Sequence, residues 1–204
     1  MLDPAGHALN LAAALIFALY AAPLARLAGL APGLSSRLAG AISSVNTVVG
    51  RTVKWFALAM VLVQAGVVLL RYVFNISLLW MQEIIVYLHG GLFLLAAGYV
   101  LHVGAHVRVD VFRRVMSEKT KALVDLLGAY LLLAPVCAAI LIAAGPYVAQ
   151  SWAVREGSAE GSGLGLIYLL KTFIPLFAAL VALQGVALAD RSVAVLRGED
   201  EVAA

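Results

Sequence analysis

The sequence predicts an all-α polytopic membrane protein, and three observations carry that prediction. Of its 204 residues, 64% are hydrophobic and 12% charged, with a mean hydropathy of +1.01. Soluble domains average roughly 45–50% apolar and about 25% charged. Four mostly apolar runs are long enough to cross a hydrocarbon core of about 30 Å, which takes about 20 helical residues. Lys and Arg also collect in alternate connections between those runs, the pattern that orients helices in a bilayer. A soluble fold of this size could not hide so much apolar surface, so lipid is its natural solvent.

Residues 1–33 form an extra hydrophobic segment. Its apolar run is Ala8–Ala25, followed by Arg26 and then Leu27–Ala31. The leading Met1–His7 carries Asp3 and no Lys or Arg, and Ala18–Tyr20 is a poor small-x-small cleavage site. An uncleaved membrane helix is therefore favoured over a surface-lying helix or a signal peptide. In residues 34–50, Leu34, Leu38, Ile42, Val45 and Val49 recur at spacings of four, four, three and four. That is one face of a helix, and Ser35, Ser36, Arg37, Ser43, Ser44, Asn46 and Thr47 cover the others. An amphipathic helix lying in the interface plane is expected there; a solvent-exposed linker is the alternative.

Residues 51–196 are expected to form a four-helix membrane domain. Its spans are Trp55–Phe74, Leu78–Val103, Leu126–Ala149 and Leu164–Leu188. Pro135, Pro146 and Pro175 fall within these runs, which membrane helices tolerate when neighbours satisfy the freed carbonyls. Residues 197–204 form a polar tail.

The net charge of +3 and pI of about 9.2 do not indicate nucleic acid, because no basic stripe is interleaved with aromatics. Arg26, Arg37, Arg51 and Lys54 precede the first clear span. Arg108, Arg113, Arg114, Lys119 and Lys121 lie between the second and third, and Arg191 and Arg197 in the tail. These segments belong in the cytoplasm, so the C-terminus is expected inside. Arg51, Lys54, Arg113 and Arg114 are the expected contacts to lipid headgroups.

Ionisable residues inside apolar runs need a reason. Arg71 ends the first clear span, Glu83 opens the second, and Lys171 lies two turns into the fourth, all at the outer side. Arg71–Glu83 and Lys171–Glu83 pairs are both geometrically open; the competing readings are snorkelling to headgroups, contact with a partner, and a coupling-ion site. Tyr72, Trp80, Tyr147 and Trp152 form an outer aromatic belt. His89, His102 and His106 all belong to one span or its exit, so a haem held by facing helices is disfavoured. Cys137, the only cysteine, is read as a packing residue. No nucleophile elbow, phosphate loop or metal-ligand constellation is visible, and no enzyme is expected.

Two groups of motifs resemble a known family. The first is Arg71-Tyr72-Val73-Phe74-Asn75, then Trp80 and Glu83, then a Gly/Ala-rich helix and His106-Val107-Arg108-Val109-Asp110. The second is Pro146-Tyr147-Val148, Ser151-Trp152, Glu156, Ser158, Gly163-Leu164, Tyr168-Leu169-Leu170-Lys171 and Gln184-Gly185. In this order they resemble the small permease subunit, DctQ-like, of tripartite ATP-independent periplasmic (TRAP) transporters. The second group resembles the branch labelled for mannitol, chloroaromatic compounds or 2-oxo acids. Gln82 stands where many members carry a first Glu, and the N-terminal run lies outside the usual four-helix core.

The resemblance implies a large permease subunit and a periplasmic solute-binding protein as partners. It implies sodium-driven uptake of an organic acid across the bacterial inner membrane, with sodium bound in the large subunit and no cofactor in this chain. The small subunit would brace the static scaffold. Arg71, Glu83, Lys171 and Trp80 are candidates for partner contact or structural charge. Trp152, Arg155, Glu156 and Glu160 are candidates for docking the binding protein, and Gly90, Gly91, Gly98 and Gly128 for packing on the partner. The alternatives are a membrane anchor of a redox enzyme, an autonomous small channel, and an accessory protein of another complex.

Overall fold

A computed structural model describes residues 4–30, 32–107 and 110–199. The expectations placed on Met1–Asp3, Ala31, Arg108, Val109 and residues 200–204 lie outside the described residues. Every described element is a helix: α1 Pro4–Leu19, α2 Ala21–Leu27, α3 Pro32–Val73, α4 Leu79–His102, α5 Asp110–Arg113, α6 Glu118–Gly128, α7 Ala134–Ala153 and α8 Ile167–Arg197. A π-helical segment, Ala129–Leu133, joins α6 to α7. Among the described residues, five stretches are long and apolar enough to cross a membrane: those holding the four expected spans and Asn10–Leu27.

Local chemistry places the breaks. Pro23 lacks the N–H that would bond the Leu19 carbonyl, and the chain breaks at Tyr20 between α1 and α2. Pro135, near the start of α7, likewise cannot continue the α-helical ladder, and the wider π turn just before it absorbs the mismatch. At the end of α3, Asn75 adopts φ 56° while the Ile76 N–H donates to the Leu70 carbonyl at 3.0 Å. This is the left-handed helix stop that favours Asn or Gly, and it accounts for the Asn that closes the Arg71–Asn75 motif. Arg155 stops α7 in the same way, with φ 46° and the Glu156 N–H on the Ser151 carbonyl at 3.0 Å. Ser117 caps α6 by accepting from the Thr120 N–H at 3.2 Å.

α8 is the hub. Half of its spanning window is buried, against 6% for that of α3, and α1, α2, α3, α4, α6 and α7 all pack on it. α4 runs antiparallel to α3 and parallel to α8. α7 runs antiparallel to both α1 and α8. Large apolar side chains face outward along the whole bundle, among them Leu11, Leu62, Phe93, Leu132 and Ile142, each more than 60% exposed. The buried side chains are small or polar: Ala178, Ala182 and Ala189 beside Asn46, Gln184 and Asp190. Such a distribution suits lipid outside and close helix packing inside.

Two expectations need correction. The stretch 34–50 is not a separate helix: it is continuous with the first span in the 42-residue α3. At 1.5 Å per residue α3 is about 63 Å long, twice the hydrocarbon thickness. Its face toward the bundle is also not the expected apolar stripe, of which only Ile42 is fully buried. Ser35, Ala39, Ile42, Asn46, Gly50 and Val53 are buried, while Leu34, Val45 and Val48 are exposed. Periodicity located the helix, but the face it buries is set by the neighbours, which offer Asp190 and Gln184 as hydrogen-bond partners.

The second correction concerns the glycines expected to pack on a partner. Gly91 and Gly98 are buried inside this chain. Gly91 faces Phe56 and Phe173, Gly98 faces Asn46 and the Leu180 carbonyl, and Gly90 faces Leu170. Only around Gly128 would an added Cβ meet nothing within 4 Å. Close approach between α3, α4 and α8 consumes the other three.

Candidate functional site

Three polar clamps join helices at three levels of the bundle. The outer clamp holds the α7–α8 loop. Ser158 Oγ donates to Glu83 Oε1 at 2.5 Å, and the Leu164 N–H donates to Glu83 Oε2. Glu83, on the first turns of α4, thus holds both arms of a loop eighty residues away in sequence. Beside it, Lys171 Nζ pairs with Glu156 Oε2 at 2.5 Å, and Ser151 Oγ donates to the same oxygen at 2.7 Å. Lys171 also lies 4.1 Å from the centroid of the Tyr147 ring, a cation–π contact. Trp152 Nε1 donates to Thr172 Oγ1 at 2.9 Å, and its ring meets Tyr168 edge-on.

Neither expected Glu83 pair forms. Lys171 takes Glu156 instead, because both project from the ends of the helices that the loop connects. Arg71 is exposed at the end of α3 and makes no ion pair among the described residues. Trp80 is 42% exposed at the start of α4. Arg155 and Glu160 are exposed in the loop, where the Glu160 N–H donates to Ser158 Oγ.

The Lys171 ammonium and the Ser151 hydroxyl hold the Glu156 carboxyl below the usual carboxylate range. Its contribution to loop order is therefore present at neutral pH and lost as pH falls through the depressed value. Limited proteolysis of the 154–166 loop should be slow at pH 7 and accelerate only in acid below the ordinary carboxylate range. Glu156→Gln should show fast cleavage at both.

The middle clamp is a buried amide pair. Asn46 Nδ2 donates to Gln184 Oε1 at 3.0 Å, tying α3 to α8. Gln184 Nε2 lies 3.4 Å from His102 Nδ1 and 3.5 Å from Ser43 Oγ. His102 is thus a polar packing residue at the α4–α8 contact. His89 stacks on Phe93, and Cys137 is buried between Val181 and Ala182.

The inner clamp joins the N-terminal segment to α8. Arg26 Nη1 pairs with Asp190 Oδ2 at 2.6 Å, and Ser35 Oγ donates to Asp190 Oδ1. Arg26 also pairs with Glu199 through Nη2 at 2.6 Å, and Arg197 Nη1 donates to the Arg26 and Leu27 carbonyls. Arg26 above all, then Arg197, hold the Glu199 carboxyl below its usual range. About two turns up α8, Tyr20 Oη donates to the Ala182 carbonyl at 2.9 Å and Tyr130 Oη to the Tyr20 carbonyl at 2.5 Å. The N-terminal helices α1 and α2 are thus knitted into the bundle at the level of α2.

The sequence reading missed this inner clamp. Arg26 was counted only as an orienting charge and Asp190 was not singled out. The available signal was Asp190 itself, the one acidic residue in the apolar α8. Of the expected headgroup contacts, Arg51, Lys54 and Arg114 are exposed, with Lys54 Nζ over the Trp55 ring at 5.5 Å. Arg113 grips Asp125 with two bonds of 2.7 Å.

A family model described as tripartite ATP-independent periplasmic transporters, DctQ component, matches residues 60–194. Neither the curated proteins nor the solved structures yield a match to the chain. The matched stretch contains Glu83, Glu156, Lys171, Gln184 and Asp190, and leaves α1, α2 and Arg26 outside it. With more than half of its length inside that match and five helices fit to cross a bilayer, the chain belongs to the DctQ family, a multi-pass membrane component of TRAP transporters and not an enzyme.

Proposed function

We propose that this chain is the static brace of a sodium-driven importer of organic acids. It supports the large permease subunit in the inner membrane, and its outer loop helps to dock the periplasmic solute-binding protein. One observation carries the reading: five charged groups toward the two ends of the bundle are spent on bonds within the chain. Glu83, Glu156, Lys171, Arg26 and Asp190 all join one helix to another helix or loop. A coupling-ion site needs oxygen ligands left free to converge on the ion; a brace needs helices locked at fixed spacing under an apolar exterior. The family match favours neither a redox anchor nor an accessory role in another complex.

In this reading the Arg-rich ends face the cytoplasm, as does the C-terminus. Arg51, Lys54, Arg113 and Arg114 sit near anionic headgroups, each contributing about 1 kcal/mol. Arg71 and Trp80, exposed at the outer rim, are the proposed contacts to the large subunit. Trp152, Arg155, Glu156 and Glu160 present the docking face, which Glu83 holds in place. The branch resemblance supports an organic acid as the transported class.

The test is co-expression with the large permease subunit. Glu83→Ala should lower the yield of co-purified complex several-fold and slow uptake in proteoliposomes, while the isolated chain stays monodisperse in detergent. Full complex yield and full uptake would remove Glu83 from the docking and bracing role. Solute flux through liposomes holding this chain alone would overturn the brace itself.

A further inference from the structure

Three hollows on one side of the bundle run into one another. α8 floors a groove walled by the end of α4, α5 and α6 at one end and by the π-helical segment and the start of α7 at the other. At the Arg-rich end a hollow of about 260 Å³ is lined by Arg113, Lys121 and Arg191 together with His102, Glu118 and Asp125. The next, about 450 Å³, shares Leu101, Arg113, Asp125 and Leu188 with it and is mainly apolar. The third, about 400 Å³, shares Gly128 and Leu133 with the second and is wholly apolar as far as Phe177. Polarity therefore falls stepwise along one groove.

The charges at the polar end do not cancel. Asp125 is taken by Arg113 through two bonds, and Glu118 by Lys121 at 2.7 Å. Arg191 is exposed, makes no ion pair among the described residues and lies 3.5 Å from His102 Nδ1. Both carboxylates are neutralised, and a cation remains. Arg191 also stands at a meaningful depth. It lies twenty residues beyond Lys171 on α8, about 30 Å along the axis, the thickness of a hydrocarbon core. Lys171 marks the outer boundary, so Arg191 marks the inner one.

The length of the apolar part distinguishes the possible occupants. From Leu188 to Phe177 is eleven residues, about 16 Å, or half of the core. A transmembrane helix of a partner would need a groove through both leaflets. A lipid acyl chain needs one through a single leaflet, with a polar pocket at its end. Basic pockets between helices at the cytoplasmic side are known to take anionic headgroups.

We infer that this groove holds one anionic phospholipid, its phosphate at Arg191 and one acyl chain lying on α8 beside the π-helical segment and the start of α7. Gly128 keeps the groove open where the second hollow gives way to the wholly apolar third. The site goes beyond the bracing role and does not depend on it.

The test uses the full chain purified with its large subunit, delipidated, and titrated with phosphatidylglycerol or phosphatidylcholine of the same acyl composition under native mass spectrometry. Phosphatidylglycerol should be retained at about fivefold lower concentration, the worth of one uncompensated cation. Arg191→Gln, on an exposed side chain, should abolish that preference. Gly128→Phe should lower retention of both lipids, since an added Cβ there meets nothing within 4 Å. Equal retention of the two lipids by the unaltered protein, or retention unchanged in both variants, would overturn the inference. So would a photo-crosslinker in place of Leu132 that captures the large subunit instead of lipid.

Discussion

Replacing Arg26 by Ala should destabilise the protein by about 3–5 kcal/mol, the typical cost of breaking a buried ion pair by removing one partner. The Arg26 and Asp190 side chains are 11% and 6% exposed, and Asp190 also accepts from Ser35. Without the guanidinium, the Asp190 carboxylate stays buried in α8 with one hydroxyl donor. The loss should appear in denaturant unfolding of the detergent-solubilised chain. Near-normal stability in Arg26→Ala would show that α1 and α2 are held by apolar packing alone. The paired replacement Arg26→Met with Asp190→Leu should recover most of the loss, because it removes both charges and keeps the volume. Glu199→Ala should cost far less, since that carboxylate is about one third exposed and solvent screens its pair.

Gly98→Ala should be the most disruptive single-methyl change in the four-helix domain. A Cβ at Gly98 would fall on the Asn46 carboxamide and 3.0 Å from the Leu180 carbonyl oxygen, which is backbone and cannot rotate away. Overpacking of this kind costs typically 1–3 kcal/mol. Here it would also displace the Asn46–Gln184 hydrogen bond that ties α3 to α8. A total of about 2–4 kcal/mol is expected, read as a fall in the unfolding midpoint. The companion Asn46→Ala removes the carboxamide that the methyl strikes. Gly98→Ala should therefore cost less in that background than alone, and a double-mutant cycle measures the difference. Strictly additive losses would mean that the two residues do not share the space the geometry assigns them.

The helices were legible because hydrocarbon imposes a local rule. Any stretch that crosses it must satisfy its own backbone and shed its charges, so Trp55–Phe74 or Leu126–Ala149 reads as a span without knowledge of its neighbours. The breaks at Asn75 and near Pro23 have equally local causes, although the run Ala8–Ala25 reads as unbroken in the sequence. In residues 34–50 the spacing of Leu34, Leu38 and Ile42 found the helix, but an apolar stripe in a membrane protein turns to lipid as readily as to a core. The resemblance motifs led to the family, and Glu83, Glu156 and Lys171 were singled out one by one. Their pairing was not legible, because Lys171 chooses between carboxylates in space and not in sequence.

From its composition and order alone, the chain determined that it is helical, where its spans run, and which residues interrupt them. These are properties of single segments in hydrocarbon. Only the tertiary structure decided that Arg26 meets Asp190 across 164 positions of sequence, that Glu83 clasps Ser158 and Leu164, and that α3 turns Ser35 and Asn46 inward with its small residues. Such choices depend on which donor comes within about 3 Å of which acceptor. That distance is set by the packing of all the helices together, and no one of them carries it.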